Sequence, residues 1–155
     1  MCLPESVSVI EDYAFADCNV LKVWESMEKL SLKSVGISAF ENCYALEFIS
    51  LPDSLTVIEG AAFADCVSVN KLIFSDTSLL KKIGDHAFRG CRNLKEVYLP
   101  DGVEYVGISA FRDCVSLEQI SVSEKIKDQP GIAELEKNCP NARIRFREVN
   151  SVEKE

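Results

Sequence analysis

An Ala-Phe-x-x-Cys motif that recurs five times constrains this chain more than any other feature of it. The copies run Ala14–Cys18, Ala39–Cys43, Ala62–Cys66, Ala87–Cys91 and Ala110–Cys114, with cysteines 25, 23, 25 and 23 residues apart. A fixed period of this length marks a stack of short units, each unable to bury its apolar face without a neighbour. Such a chain predicts an elongated core shared between coils, not a globule closed around a pocket.

Each motif sits in a longer pattern. Apolar residues follow the cysteine at +3, +6 and +8, as in Leu46, Ile49 and Leu51, or Leu94, Val97 and Leu99. The +6/+8 pair alternates with its neighbours and predicts a short strand with one buried face. Apolar residues also precede the alanine at −7 and −4, as in Leu32 and Val35, or Leu55 and Ile58. Their three-residue spacing predicts a turn-like or irregular second flank. A deeper period of 48 relates Cys18, Cys66 and Cys114, and likewise Cys43, Cys91 and Cys139. Alternate units are two residues longer, with the extra residues near Met27–Lys29 and Asp76–Ser78. The shorter units carry Leu51-Pro52 and Leu99-Pro100, where proline, lacking an N–H, ends the strand.

The 155 residues read as one unit. Residues 1–149 form a single repeat domain of about five 23/25-residue repeats, with 123–149 as a C-terminal cap and 150–155 as a disordered tail. Within the cap, Pro130–Asn138 predicts an amphipathic helix. Arg143–Val149 predicts a last edge strand with Ile144 and Phe146 on one side, blunted by Arg143, Arg145, Arg147 and Glu148. The opposite end enters mid-unit at Leu3-Pro4, with no secretory signal before it. That start fits either a fragment of a longer array or a short protein whose open edge a partner or second copy covers. The net charge of −8 argues against nucleic acid, and no apolar run approaches the roughly 18 residues of a membrane span.

The residues carry no reaction chemistry. The five motif cysteines read as a buried column of small side chains, Cys139 extends it, and Cys2 stands apart as a free thiol. With no Cys-x-x-Cys and one histidine, no zinc site is expected. His86 occupies a position held elsewhere by Tyr13, Ser38, Ala61 and Ser109, so it reads as a variable surface residue, and Asp85 beside it makes no triad. Asp17, Asn42, Asp65 and Asp113, with Gly90 once in their place, precede the cysteines as turn formers. Gly36, Gly84 and Gly107 lack the spacing of a phosphate-binding loop. No catalytic residue, metal ligand or cofactor site is assigned.

The full pattern, Leu-x-x-Val-x-x-Ile-Gly-x-x-Ala-Phe-x-x-Cys-x-x-Leu-x-x-Ile-x-Leu-Pro over about Leu3 to Val122, resembles the BspA-like, or Treponema pallidum-type, leucine-rich repeat. The resemblance implies a leucine-rich-repeat solenoid of the α/β type: a right-handed curved coil with a short parallel sheet on its concave face, an irregular or short helical convex side, and a helix-strand cap. It also implies non-catalytic binding or adhesion, often at a microbial surface.

With +6 and +8 inward, +5 and +7 face outward on what the resemblance makes the concave side. The +5 column is Val23, Phe48, Lys71, Glu96 and Gln119; the +7 column is Glu25, Ser50, Ile73, Tyr98 and Ser121. Phe48 and Tyr98 are the expected anchors for a protein partner. Trp24 and Ser26 depart from the pattern and predict a distorted first strand. The reading is a protein–protein interaction module. Its rivals are a structural segment that self-associates through its open N-terminal edge, and a glycan-binding adhesin resting on little more than Tyr98 and Trp24.

Overall fold

The computed structural model describes residues 1–26 and 29–149. The expected tail at 150–155, and Met27 and Glu28 of the first long unit, lie outside the described residues. The chain winds as a solenoid of about six turns with parallel sheets and little helix. Short strands alternate along it: β1 Val9–Ile10, β2 Val23–Glu25, β3 Ser34–Val35, β4 Phe48–Ser50, β5 Val57–Ile58, β6 Lys71–Ile73, β7 Lys82–Ile83, β8 Glu96–Tyr98, β9 Tyr105–Val106, β10 Gln119–Ser123 and β11 Arg143–Arg147.

The even-numbered strands and β11 form the front. Each of β2, β4, β6 and β8 buries its middle residue, as the alternation predicts. Trp24 takes that middle place and is 1 % exposed, in register with Ile49. The first strand is therefore regular, against the distortion expected of it. The solenoid accommodates the large ring by laying it on Phe40, with ring centroids 4.8 Å apart.

Two departures from expectation concern pairing. The second flank is not irregular: β1, β3, β5, β7 and β9 form a continuous five-stranded parallel sheet. Each strand is only two residues long and buries its second residue, so no alternation is long enough to be read from sequence. The front, conversely, is not one sheet. Its order is β2-β4-β6 and, separately, β8-β10-β11. Phe48, Lys71 and Gln119 donate their backbone N–H to Lys22, Glu47 and Lys95 of the preceding coil, but no such bond joins Glu96 to Asn70. The exit of β6 is held toward the coil before it. Ser75 and Thr77 both donate side-chain hydroxyls to Asp53, and Leu79 N donates to Asp53 O at 2.9 Å.

A third wall carries the motif itself. Phe15, Phe40, Phe63 and Phe88 donate backbone N–H to the alanine carbonyl of the following coil at 2.7–2.8 Å. Two residues per coil hold positive φ. Tyr13, Ser38, Ala61, His86 and Ser109 lie at 51–59° just before Ala-Phe. Asp17, Asn42, Asp65 and Asp113 lie at 57–60°, with Gly90 at 73°, just before the cysteine. The second set fits the expected turn formers, since Asp, Asn and Gly tolerate the left-handed region best. The corner also needs close approach between coils: a Cβ on Gly84 would lie 2.6 Å from Gly60 N.

Inside, the phenylalanines stack face to face. Centroids from Phe15 to Phe111 are 5.1, 5.1, 5.3 and 5.5 Å apart, and from Phe40 onward the planes agree within 5°. That spacing follows the strand repeat of about 4.8 Å.

The cap closes the last coil. Beyond β10 come a 3-10 turn, Glu124–Ile126, and two short helices in place of one, α1 Pro130–Ala133 and α2 Leu135–Asn138, with Glu134 between them. Ser109 N donates to the Glu134 carboxylate at 3.0 Å, where the equivalent N–H in earlier coils finds the next coil's carbonyl. Strand β11 then pairs parallel with β10 over its full length.

Candidate functional site

The sequence-derived candidates divide along the front face. Val23, Phe48 and Lys71 share one cross-strand row, and Glu25, Ser50 and Ile73 share the next. Val23 is 41 % exposed, while Phe48 and Ile73 are half-buried. The Lys71 ammonium sits 5.9 Å from the Phe48 ring centroid, close enough for a weak cation–π contact. These side chains make an apolar strip with a charged border, carried on hydrogen-bonded strands that fix its geometry.

Next to the strip the surface dips. A groove of about 430 Å³ opens where β6 and β8 part, lined by Lys71, Ile73, Lys95, Glu96, Tyr98 and Gln119. Glu96 and Gln119 remain exposed on its rim.

The far end of the face departs from the expected outward column. Ser121 is 3 % exposed. It is covered by Arg147, which reaches back from β11 and donates to Ser121 Oγ at 2.6 Å, Leu99 O at 2.5 Å and Asp101 Oδ1 at 2.7 Å. The same guanidinium lies over the Tyr98 ring at 3.8 Å. Tyr98 keeps 53 % of its surface, but its covered ring face is closed to a partner. Arg147 was expected to blunt the edge of β11; it packs over the front of the two preceding coils instead. Pattern reading missed it because the contact spans 46 to 48 residues.

The cysteines have a role that composition did not reveal. Cys43, Cys66, Cys91, Cys114 and Cys139 donate their thiols to the carbonyls of Phe15, Phe40, Phe63, Phe88 and Phe111 at 3.1–3.4 Å. Cysteine fits the corner because it is small, largely apolar and still a weak donor. All seven are free thiols. Burial pushes Cys91 up to about 12 and Cys114 well above its ordinary value, so these sulfurs stay protonated and unreactive. The Ser75 and Thr77 hydroxyls hold Asp53 below the usual carboxylate range.

His86 is a half-buried turn residue whose N–H donates to Ile108 O at 2.9 Å. Among the described residues, no three His, Cys, Asp or Glu side chains are grouped to hold a metal ion. No helix among them is long and apolar enough to cross a membrane.

Comparison with known proteins adds one family match and three likenesses of architecture. Residues 8–133 match the BspA type leucine rich repeat region in six copies. The crystal structure of the T. pallidum leucine rich repeat protein superposes with a TM-score of 0.77 at 27% identity, over 95% of this chain and 68% of that one. The pneumococcal vaccine antigen PcpA gives 0.63 at 23%, covering 94% of this chain and 40% of that one. A leucine rich cell surface protein from Faecalibacterium prausnitzii gives 0.50 at 17%, covering 96% and 60%. The last two show likeness of fold alone. No curated protein matches the chain.

Proposed function

The chain belongs to the BspA-type leucine-rich repeat family, and on that premise we propose that it is a non-catalytic protein-binding module whose contact surface is the N-terminal half of the front face. One observation carries this reading. Val23, Phe48 and Ile73 stand in adjacent cross-strand rows on the solvent side, where a solenoid has no need of apolar residues. The groove beside them supplies Lys71, Lys95 and Glu96 as polar contacts around an apolar centre, the arrangement of a small interface. Tyr98 and Gln119 are peripheral to it, and Ser121 is withdrawn because Arg147 occupies its hydroxyl. A microbial surface is the setting that the family resemblance implies for such an encounter.

The experiment replaces Phe48 and Ile73 with aspartate, singly and together, with circular dichroism confirming the fold. Binding to a partner recovered by cross-linking should fall about tenfold or more for the pair, in line with the loss of central interface anchors. Undiminished binding by a folded double variant removes this surface from the account.

A further inference from the structure

We propose that the outer edge of β11 is a second docking site, which takes an extended acidic segment of a partner protein in which carboxylates alternate with apolar residues. Strand β11 ends its sheet, in the order β11-β10-β8, so one side pairs with β10 and the other pairs with no strand among the described residues. It is five residues long, longer than any front strand except β10, and offers a full backbone ladder.

The side chains select what can pair there. Arg143 and Arg145 register with Gln119 and Ser121, which places both on the front face. Both are exposed, and no carboxylate among the described residues lies within ion-pair distance of either. Two exposed cations with no ion-pair partner among the described residues form a local positive site on one strand of a chain with net charge −8. Between them and beyond, Ile144 and Phe146 register with the buried Ile120 and Val122. Phe146 is 47 % exposed, and no aromatic ring among the described residues stacks on it. An added strand with carboxylates at one set of alternate positions would meet the arginines across the ladder, and its apolar residues would continue the core column over Phe146. A second copy presenting its own β11 would set Arg143 and Arg145 against arginines, a like-charge pairing that disfavours symmetric dimers.

The test uses the full chain, isotope-labelled, with two acetylated and amidated peptides of sequence Glu-Val-Glu-Val-Glu and Lys-Val-Lys-Val-Lys. The acidic peptide should saturably shift the backbone amides of residues 143–147, bind about tenfold tighter than the basic one, and weaken as salt shortens the screening length. An Arg143→Glu/Arg145→Glu variant, both positions being exposed, should invert the preference while the rear-sheet resonances stay in place. Equal binding of the two peptides, shifts away from β11, or an affinity indifferent to both salt and charge reversal would overturn the proposal. Concentration-dependent self-association that broadens the β11 amides without added peptide would overturn it too, in favour of a second copy. Because Phe48 and Ile73 are untouched, the outcome is independent of the front-face reading.

Discussion

Arg147 sits over Tyr98, its guanidinium carbon 3.8 Å from the ring centroid, and so ties the last strand to the coil two turns before it. Its side chain retains 13% of its surface and donates to Ser121, Leu99 and Asp101. Charge-assisted hydrogen bonds of this kind contribute about 1.5–3 kcal/mol. Arg147→Ala should lower stability by about 2–3 kcal/mol in urea unfolding and speed amide exchange in β11. Arg147→Lys, which keeps the charge but loses the planar fork, should recover less than half of that. An Arg147→Ala variant as stable as the parent would show the latch to be incidental.

The phenylalanine column makes a graded expectation. Phe63 stacks on Phe40 and Phe88 and meets Trp24 at 6.0 Å, whereas Phe15 is half-buried and stacks only on Phe40. Phe63→Ala should cost about 3–5 kcal/mol, with Phe15→Ala nearer 1–2 kcal/mol. Equal losses in denaturant titration would contradict a column whose interior members carry the larger load.

The thiols predict an alkaline limit to stability. Cys91 is pushed up from 9.0 to about 12 by burial, so in the unfolded chain it loses its proton at a pH where the folded chain keeps it. The folded state then binds more protons than the unfolded one. The contribution is fully present below pH 9.0 and is lost as pH rises toward about 12, with a limiting slope of about 1.4 kcal/mol per pH unit for this thiol. Cys139, raised to about 11, adds to the loss over a narrower window. Cys91→Ala should remove its share of the pH dependence in melts between pH 8 and 11 (roughly the range where the unfolded thiol titrates). Alkylation of the folded chain should modify exposed Cys2 first and leave Cys91 intact.

Ala61 holds φ at 54°, a conformation that L-residues with a Cβ disfavour by about 1–2 kcal/mol. Replacement by glycine removes that strain and adds some unfolded-chain entropy. Ala61→Gly should therefore raise stability by about 0.5–1 kcal/mol, read as a higher thermal midpoint. A lower midpoint would place more weight on the lost Cβ than on the backbone.

How much was legible depended on whether a feature repeats. The Phe15-to-Phe111 stack, the cysteine column and the inward middle residues of the front strands recur in every coil, and the period carried them. The rear sheet escaped because strands such as Lys82–Ile83 are too short to show alternation. The break between β6 and β8, and the tether of Ser75 and Thr77 to Asp53 beside it, escaped because neither recurs from coil to coil. The candidate surface was half legible. Val23, Phe48 and Ile73 lie where the outward columns put them, but the loss of Ser121 to Arg147 is a contact across two coils that no local pattern encodes.

The most direct test of the central claim is photo-cross-linking from defined positions around one coil. A benzophenone amino acid at position 48 or 73 on the front should give a discrete protein adduct in the native setting, and one at position 57 on the rear sheet should give none. Adducts from the rear with none from the front would contradict a front-face binding module.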